Sequence, residues 1–168
     1  MNAFAKVAML PAVLGTCKGT IDGTGTFEAG LVEFSEAIYP PPHGEAYVML
    51  ATERAPAPAY TTKELKISFS KGFADGSYGL YPDAYTVRVL FIDSSVPAKP
   101  VIYTQYQGIA RVQYDTASST FSGEISATLE NLDEDTRKTV NLKIDFEAHP
   151  TARARRIPRR PKSTGVYC

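Results

Sequence analysis

The most regular hydrophobic pattern lies near the C-terminal end. Across residues 138–148, Val140, Leu142, Ile144 and Phe146 alternate with Asn141, Lys143, Asp145 and Glu147. Across 120–130, Phe121, Ile125, Ala127 and Leu129 alternate with Ser122, Glu124, Ser126, Thr128 and Glu130; across 64–70, Leu65, Ile67 and Phe69 alternate with Lys66, Ser68 and Ser70. Successive side chains on a strand point to opposite faces, so each stretch predicts a strand with one dry face and one wet one. That is the pattern of an antiparallel sheet with a single buried side.

Other stretches are apolar on both faces. In 85–92, Val87, Val89 and Phe91 fall on one side and Leu90 and Ile92 on the other, which predicts a central strand whose outer face is also covered, by a loop or a partner chain. Residues 101–106 and 109–114 read as one long strand interrupted at Gly108, where a bulge re-aims the second half. Weaker strands are expected at 24–28, 31–37 and 45–53. Turn residues separate them: Asp22-Gly23, Asp75-Gly76, Asp93-Ser94-Ser95 and 115–119. Residues 132–137 read as the loop of a hairpin joining the two cleanest strands. Helical spacing is nearly absent; the first dozen residues and 133–137 have room for a turn or two. Two proline-rich loops, at Pro40-Pro41-Pro42 and Ala55-Pro56-Ala57-Pro58, interrupt the pattern. The expected fold is therefore all-β, a single-domain antiparallel sandwich or partly closed barrel of about eight to ten strands.

Composition sharpens this picture in one respect. The 168 residues suffice for one domain with a real core, and their net charge is zero. That neutrality is a balance between two unlike parts. The ending TARARRIPRRPKSTGVYC carries Arg153, Arg155, Arg156, Arg159, Arg160 and Lys162 without an acid, so residues 1–150 carry a net charge of −6. The division is an all-β body over 1–149 and a basic Pro/Arg-rich arm over 150–168. Pro150, Pro158 and Pro161 exclude a long recognition helix in the arm. An extended arginine arm can bind phosphate backbones, but a nucleic-acid binder normally presents a basic body as well. An acidic body argues against nucleic acid and for carboxylates as the arm's target. The wet face of the cleanest hairpin, with Glu124, Glu130, Asp145 and Glu147, offers them on this chain or on a second copy.

Candidate chemistry is sparse. The two histidines are His43, in YPPPHGE, and His149, at the junction with the arm. No nucleophile signature accompanies either, and His43 reads as an exposed loop residue. In IDGTGTF, Asp22-Gly23-Thr24 reverses the order of an aspartic-protease loop and lacks the second loop and the phosphate-loop lysine, so it reads as a glycine-rich turn. The run Asp133-Glu134-Asp135 does not have calcium-loop spacing, and Cys17 and Cys168 are too few for a zinc site or a disulfide framework. A bond between those two cysteines is left open. No cofactor motif is present. No run approaches the roughly 18 apolar residues of a membrane span, and the segment ending in Leu14-Gly15-Thr16-Cys17 is a poor export signal, which favours a cytoplasmic chain.

Ten tyrosines and no tryptophan are the most suggestive feature of the composition. Tyr78, Tyr81 and Tyr85 cluster in GSYGLYPDAY, and tyrosine joins an apolar face to a polar tip suited to recognition. The expected function is a non-catalytic binding or assembly protein that engages a protein partner or its own second subunit. Its means would be the arm, a sheet edge or the tyrosine surface. The alternative is a lipocalin-like carrier of a small ligand, if the sheet closes around a cavity. An enzyme working through carboxylates and tyrosines ranks third. An apolar pocket of a few hundred cubic ångströms with convergent polar groups would favour the carrier.

Overall fold

The computed structural model describes residues 15–132 and 138–150. They form ten strands: β1 Gly15–Ile21, β2 Gly25–Glu28, β3 Leu31–Ile38, β4 Glu45–Arg54, β5 Thr62–Ser70, β6 Gly76–Gly79, β7 Val87–Asp93, β8 Val101–Asp115, β9 Thr120–Glu130 and β10 Thr139–Ala148. There is no helix among the described residues. All pairings are antiparallel and run in the order β2-β1-β10-β9-β8-β7-β5-β4-β3, with β6 added beside β8. The all-β expectation holds. The strands at 24–28, 31–37 and 45–53 are present within a residue or so, whereas β1 and β6 carried too weak an alternation to be foreseen.

The sheet curls until its two ends approach each other, giving a partly closed barrel. The short link from β2 to β3 ties the ends together: Ala29 N–H donates to Cys17 O of β1 at 2.9 Å, and Gly30 N–H donates to Thr52 O of β4 at 3.0 Å. The dry faces of all three predicted alternations turn inward. Leu65, Ile67, Phe69, Phe121, Ile125, Leu129, Leu142, Ile144 and Phe146 are all buried. Aromatic rings span the interior, with Phe121 between Phe69 and Phe146 at centroid distances of 6.2 and 5.0 Å, and Tyr47 of β4 stacked on Tyr114 of β8 at 3.8 Å. The inner face is a packed core. Cys17 lies in it, where burial, with help from the Asp145 charge, pushes its thiol up to about 12.

The long strand expected to break at Gly108 runs unbroken as β8, and its one irregularity on β9, just before that glycine, shapes the outer surface. β8 pairs with β7 through Val101–Thr104 and with β6 through Ile109–Val112, and its register on β9 shifts between Gln105 and Gln107. Gly108 has φ +142°, and a Cβ there would lie 2.4 Å from Ser126 O and 2.5 Å from Ala127 Cα. Only glycine fits such a backbone at such an approach. At this bulge β8 parts from β7, and the side chain of Gln105, 1% exposed, occupies the gap. Its Oε1 accepts from Val89 N–H at 2.8 Å, and its Nε2 donates to Tyr81 O at 2.8 Å with Ala84 O and Val87 O at 3.2 and 3.3 Å. One amide thus replaces the missing ladder and holds the 80–86 loop against the sheet.

Candidate functional site

Two loops meet over the outer face of β5. The first, residues 39–44, is YPPPHG. Tyr39 N–H donates to Gly44 O at 2.9 Å, and Gly44 takes the left-handed backbone (φ +64°) that turns the chain into β4. This closure drops His43 onto the sheet. The exposed histidine expected there is instead 9% exposed. The correction has a physical cause: outward-facing Ser68 and Ser70 of β5 give the ring polar partners that a solvated strand would have spent on water. Nε2 lies 2.8 Å from Ser68 Oγ, and Nδ1 lies 2.7 Å from Ser70 Oγ and bonds Tyr85 O of the second loop. Ser70 Oγ also donates to His43 O at 2.8 Å.

A carbonyl can only accept, so Nδ1 carries the proton and Nε2 accepts from the Ser68 hydroxyl. All of these groups are therefore satisfied in the neutral ring. Burial holds the His43 pKa below its ordinary value of 6.5, aided by the Arg88 charge and opposed by the bond to Tyr85 O. The pair Ser68–His43 has the separation of a nucleophile and its base. Ser68 is, however, only 3% exposed, and the other ring nitrogen is oriented by a backbone carbonyl. The cluster works as a tie that fastens both loops to β5.

Between the loops lies a groove of about 410 Å³. Tyr39 and Pro42 form one wall, Ala84 and Tyr85 the other, and Lys66, Ser68, Arg88, Leu90 and Thr104 line it from β5, β7 and β8. The covered outer face foreseen for the 85–92 strand is this groove, and Leu90 is half-buried in it. Two cations face the space. Lys66 Nζ sits 5.3 Å from the centroid of the Tyr39 ring, and Arg88 Nη1 donates to Pro82 O and Ala84 O, each at 2.9 Å. Neither pairs with a carboxylate among the described residues. Among the described residues Asp83 is the one acid lining the groove.

The three tyrosines singled out from composition do come together, around an adjacent depression of about 320 Å³ shared with Asp83 and Thr86. Their roles differ. Tyr78 is half-buried, packs on Phe69 at 5.7 Å and donates its hydroxyl to Ala74 O. Tyr81 and Tyr85 are 58% and 41% exposed. Arg153, Arg155, Arg156, Arg159 and Arg160 lie outside the described residues, as do Cys168 and Asp133-Glu134-Asp135. Of the carboxylates suggested as the arm's target, Glu124, Asp145 and Glu147 are exposed and Glu130 is half-buried. Among the described residues no three acidic, cysteine or histidine side chains converge as metal ligands, and no helix is long and apolar enough to cross a membrane.

Sequence reasoning missed Lys66, Ser68, Ser70, Arg88, Gln105 and His43 as a group. One signal was available: in AYVMLA of β4, Ala46 and Val48 are apolar where the outer face should be polar, and both are buried. That pattern marks an outer face under cover, and the histidine loop immediately precedes it. No family model, curated protein or solved structure matches this chain.

Proposed function

We propose that this chain is a non-catalytic binding protein that holds a small ligand in the outer groove between the 39–44 and 80–86 loops. The observation that carries this reading is a groove of about 410 Å³ with apolar walls, on which His43, Ser68, Lys66 and Arg88 converge. Ligand sites are concave, mostly apolar, and oriented by a few placed polar groups. The carrier reading thus attaches to the outside of the barrel, because rings fill the inside. A fragment screen on the full chain followed by two-dimensional NMR tests it. The expected result is a set of weak binders that shift the amides of Lys66, Ser68, Tyr85 and Arg88 together. A library that yields no binder there rejects the proposal.

A second reading, in which the chain engages a protein partner or a second copy, rests on a different observation. Tyr81, Ile102, Tyr106 and Ile109 are 58%, 41%, 46% and 57% exposed, three of them along the outer side of β8. Tyrosine is enriched at interfaces and among their hot spots. The basic arm belongs to this reading as a carboxylate-seeking element. Light scattering of the full chain, of Ile109→Ser and of a chain ending at His149, at low and high salt, tests it. A mass unchanged across all three and equal to one copy removes the second-copy form of this reading.

A further inference from the structure

Resting on the groove reading, we infer that the ligand is a small monocarboxylate with an apolar body, such as an aryl- or alkyl-alkanoate. The charge comes from two neighbouring strands. Ser68 pairs with Arg88 and Lys66 with Leu90 across β5 and β7, so Lys66 and Arg88 are diagonal neighbours on the outer face. Diagonal positions on a sheet lie roughly 7–8 Å apart, which places one carboxylate within reach of both long side chains. Both cations are already oriented, Arg88 by the carbonyls of Pro82 and Ala84 and Lys66 over the Tyr39 ring. The two carbonyls engage only Nη1, so the rest of the guanidinium fork keeps donors for a ligand oxygen. Neither cation has a carboxylate partner among the described residues, and a charge-assisted bond to a ligand oxygen supplies one.

The remaining walls specify the rest of the ligand. Tyr39, Pro42, Ala84 and Leu90 present apolar surface, which calls for a ring or short chain attached to the acid. A volume of about 410 Å³ is at the low end of the range for small-molecule sites, so the body is small. Asp83 at the same groove sets the charge at one. A dianion such as a phosphate monoester meets two cations but also an opposing carboxylate, and loses part of its attraction to it. His43 and Ser68 face the same space, but their polar atoms are committed to each other and to Tyr85 and Ser70. Anion recognition therefore falls to Lys66 and Arg88.

The test is an NMR titration of the full chain with 3-phenylpropanoate, 3-phenylpropanamide, 3-phenylpropylammonium and phenyl phosphate. The acid is expected to shift Lys66, Ser68, Arg88 and Leu90, with the amide about tenfold weaker or worse, the ammonium silent and the phosphate weaker than the acid. Added salt should weaken the acid and leave the amide unchanged. Lys66→Gln should reduce acid affinity about tenfold with amide affinity unchanged, and its spectrum away from the groove should match the parent. Amide and acid binding equally would overturn the carboxylate class while leaving a groove that binds apolar molecules. Phenyl phosphate binding more tightly than the acid would overturn it in favour of a dianion. Silence of all four, with other fragments binding in the groove, rejects the carboxylate class alone. Silence of all four and of the wider screen rejects both the class and the groove reading.

Discussion

β5 and β10 have the same inner face and different outer ones. Leu65, Ile67 and Phe69 fill the core from one strand, as Val140, Leu142, Ile144 and Phe146 do from the other. On the outside, Asn141, Lys143, Asp145 and Glu147 of β10 are all exposed, and Ser68 and Ser70 of β5 are 3% and 1% exposed. The strands do not cause this difference; the loops over β5 do. On β10 water satisfies each polar group separately, so the groups are interchangeable and weakly coupled. On β5 and β7, Ser68, Ser70 and Arg88 are held by groups of the two loops, and removing a buried one strands its partners in a dry place. A covered face of this kind can select a ligand, because its donors are already aimed; a solvated face cannot. The contrast can be broken by paired substitutions, one on each side.

The largest effect belongs to Gln105. Gln105→Leu leaves the Val89 N–H without its partner and takes a donor from the carbonyls of Tyr81, Ala84 and Val87, in a site 1% exposed, while Tyr81 O keeps the Ala84 N–H and Ala84 O keeps Arg88 Nη1. The expected loss is about 3 kcal/mol in urea denaturation, with line broadening confined to residues 80–86. Gln113→Leu on the same strand is the matched control. Gln113 is exposed, and its side chain bonds Ser122 Oγ at 3.0 Å, so its loss should stay within about 0.5 kcal/mol. Equal costs for the two would mean that the bulge, and not the amide, positions the loop.

Next in size is His43→Ala, which removes the ring from Ser68, Ser70 and Tyr85 O and opens space beside the groove. A loss of about 2–3 kcal/mol is expected, along with weaker binding of any groove ligand. His149 is the comparison. It bonds Thr120 Oγ1 at 3.1 Å and Glu147 at 2.8 Å with its side chain 40% exposed, so His149→Ala should cost less than about 1 kcal/mol. Thermal or urea melts of both variants decide it, and a His43→Ala chain as stable as His149→Ala would dissolve the tie.

These two histidines also mark how far the sequence could be read. The inner face was legible residue by residue, because a strand of period two declares its dry side with no help from the rest of the chain. Val140 to Phe146 are buried at every second position, as the alternation requires, and the irregularity of the long strand falls between Gln105 and Gln107, just before the glycine expected to mark it. The clustering of Tyr78, Tyr81 and Tyr85 was legible because they stand close together in the chain. His43 was not. Its burial depends on partners 25 and 27 residues away on β5 and on a carbonyl 42 residues away. Nothing in YPPPHG announces that a loop will fold over a particular strand. Gln105 was hidden in the same way, since an amide at a strand position reads as polar surface until the bulge creates a gap for it. Lys66 looked like an ordinary wet-face charge, and Arg88 drew no reading of its own.

A smaller effect concerns pH. Burial lowers the His43 pKa below 6.5, so the unfolded chain binds the proton more readily than the folded one. The neutral ring's contribution to stability is complete above pH 6.5 and declines as pH falls from there through the lowered native value. The comparison that isolates it is the stability of the parent minus that of His43→Gln, measured by urea denaturation from pH 8 to pH 4.5. The difference should be constant in the upper part of that range and shrink in the lower part. A difference that grows on acidification reverses the sign and means that the protonated ring is the better tie.

The smallest effect tests the exposed side of the contrast. On β10, Asp145 pairs across strands with Glu124 and Lys18, while the Glu124 carboxylate meets Arg111 at 3.2 Å with both side chains largely exposed. Asp145→Asn removes a charge that lies beside one like and one unlike neighbour, and water screens both. Its stability should change by less than about 0.5 kcal/mol, and the sign should follow salt: slightly favourable at low ionic strength if the Glu124 repulsion dominates, and null at high. A loss above about 1 kcal/mol would show that the outer face of β10 is as tightly coupled as that of β5. The separation between a solvated face and a selective one would then have to be drawn elsewhere on the sheet.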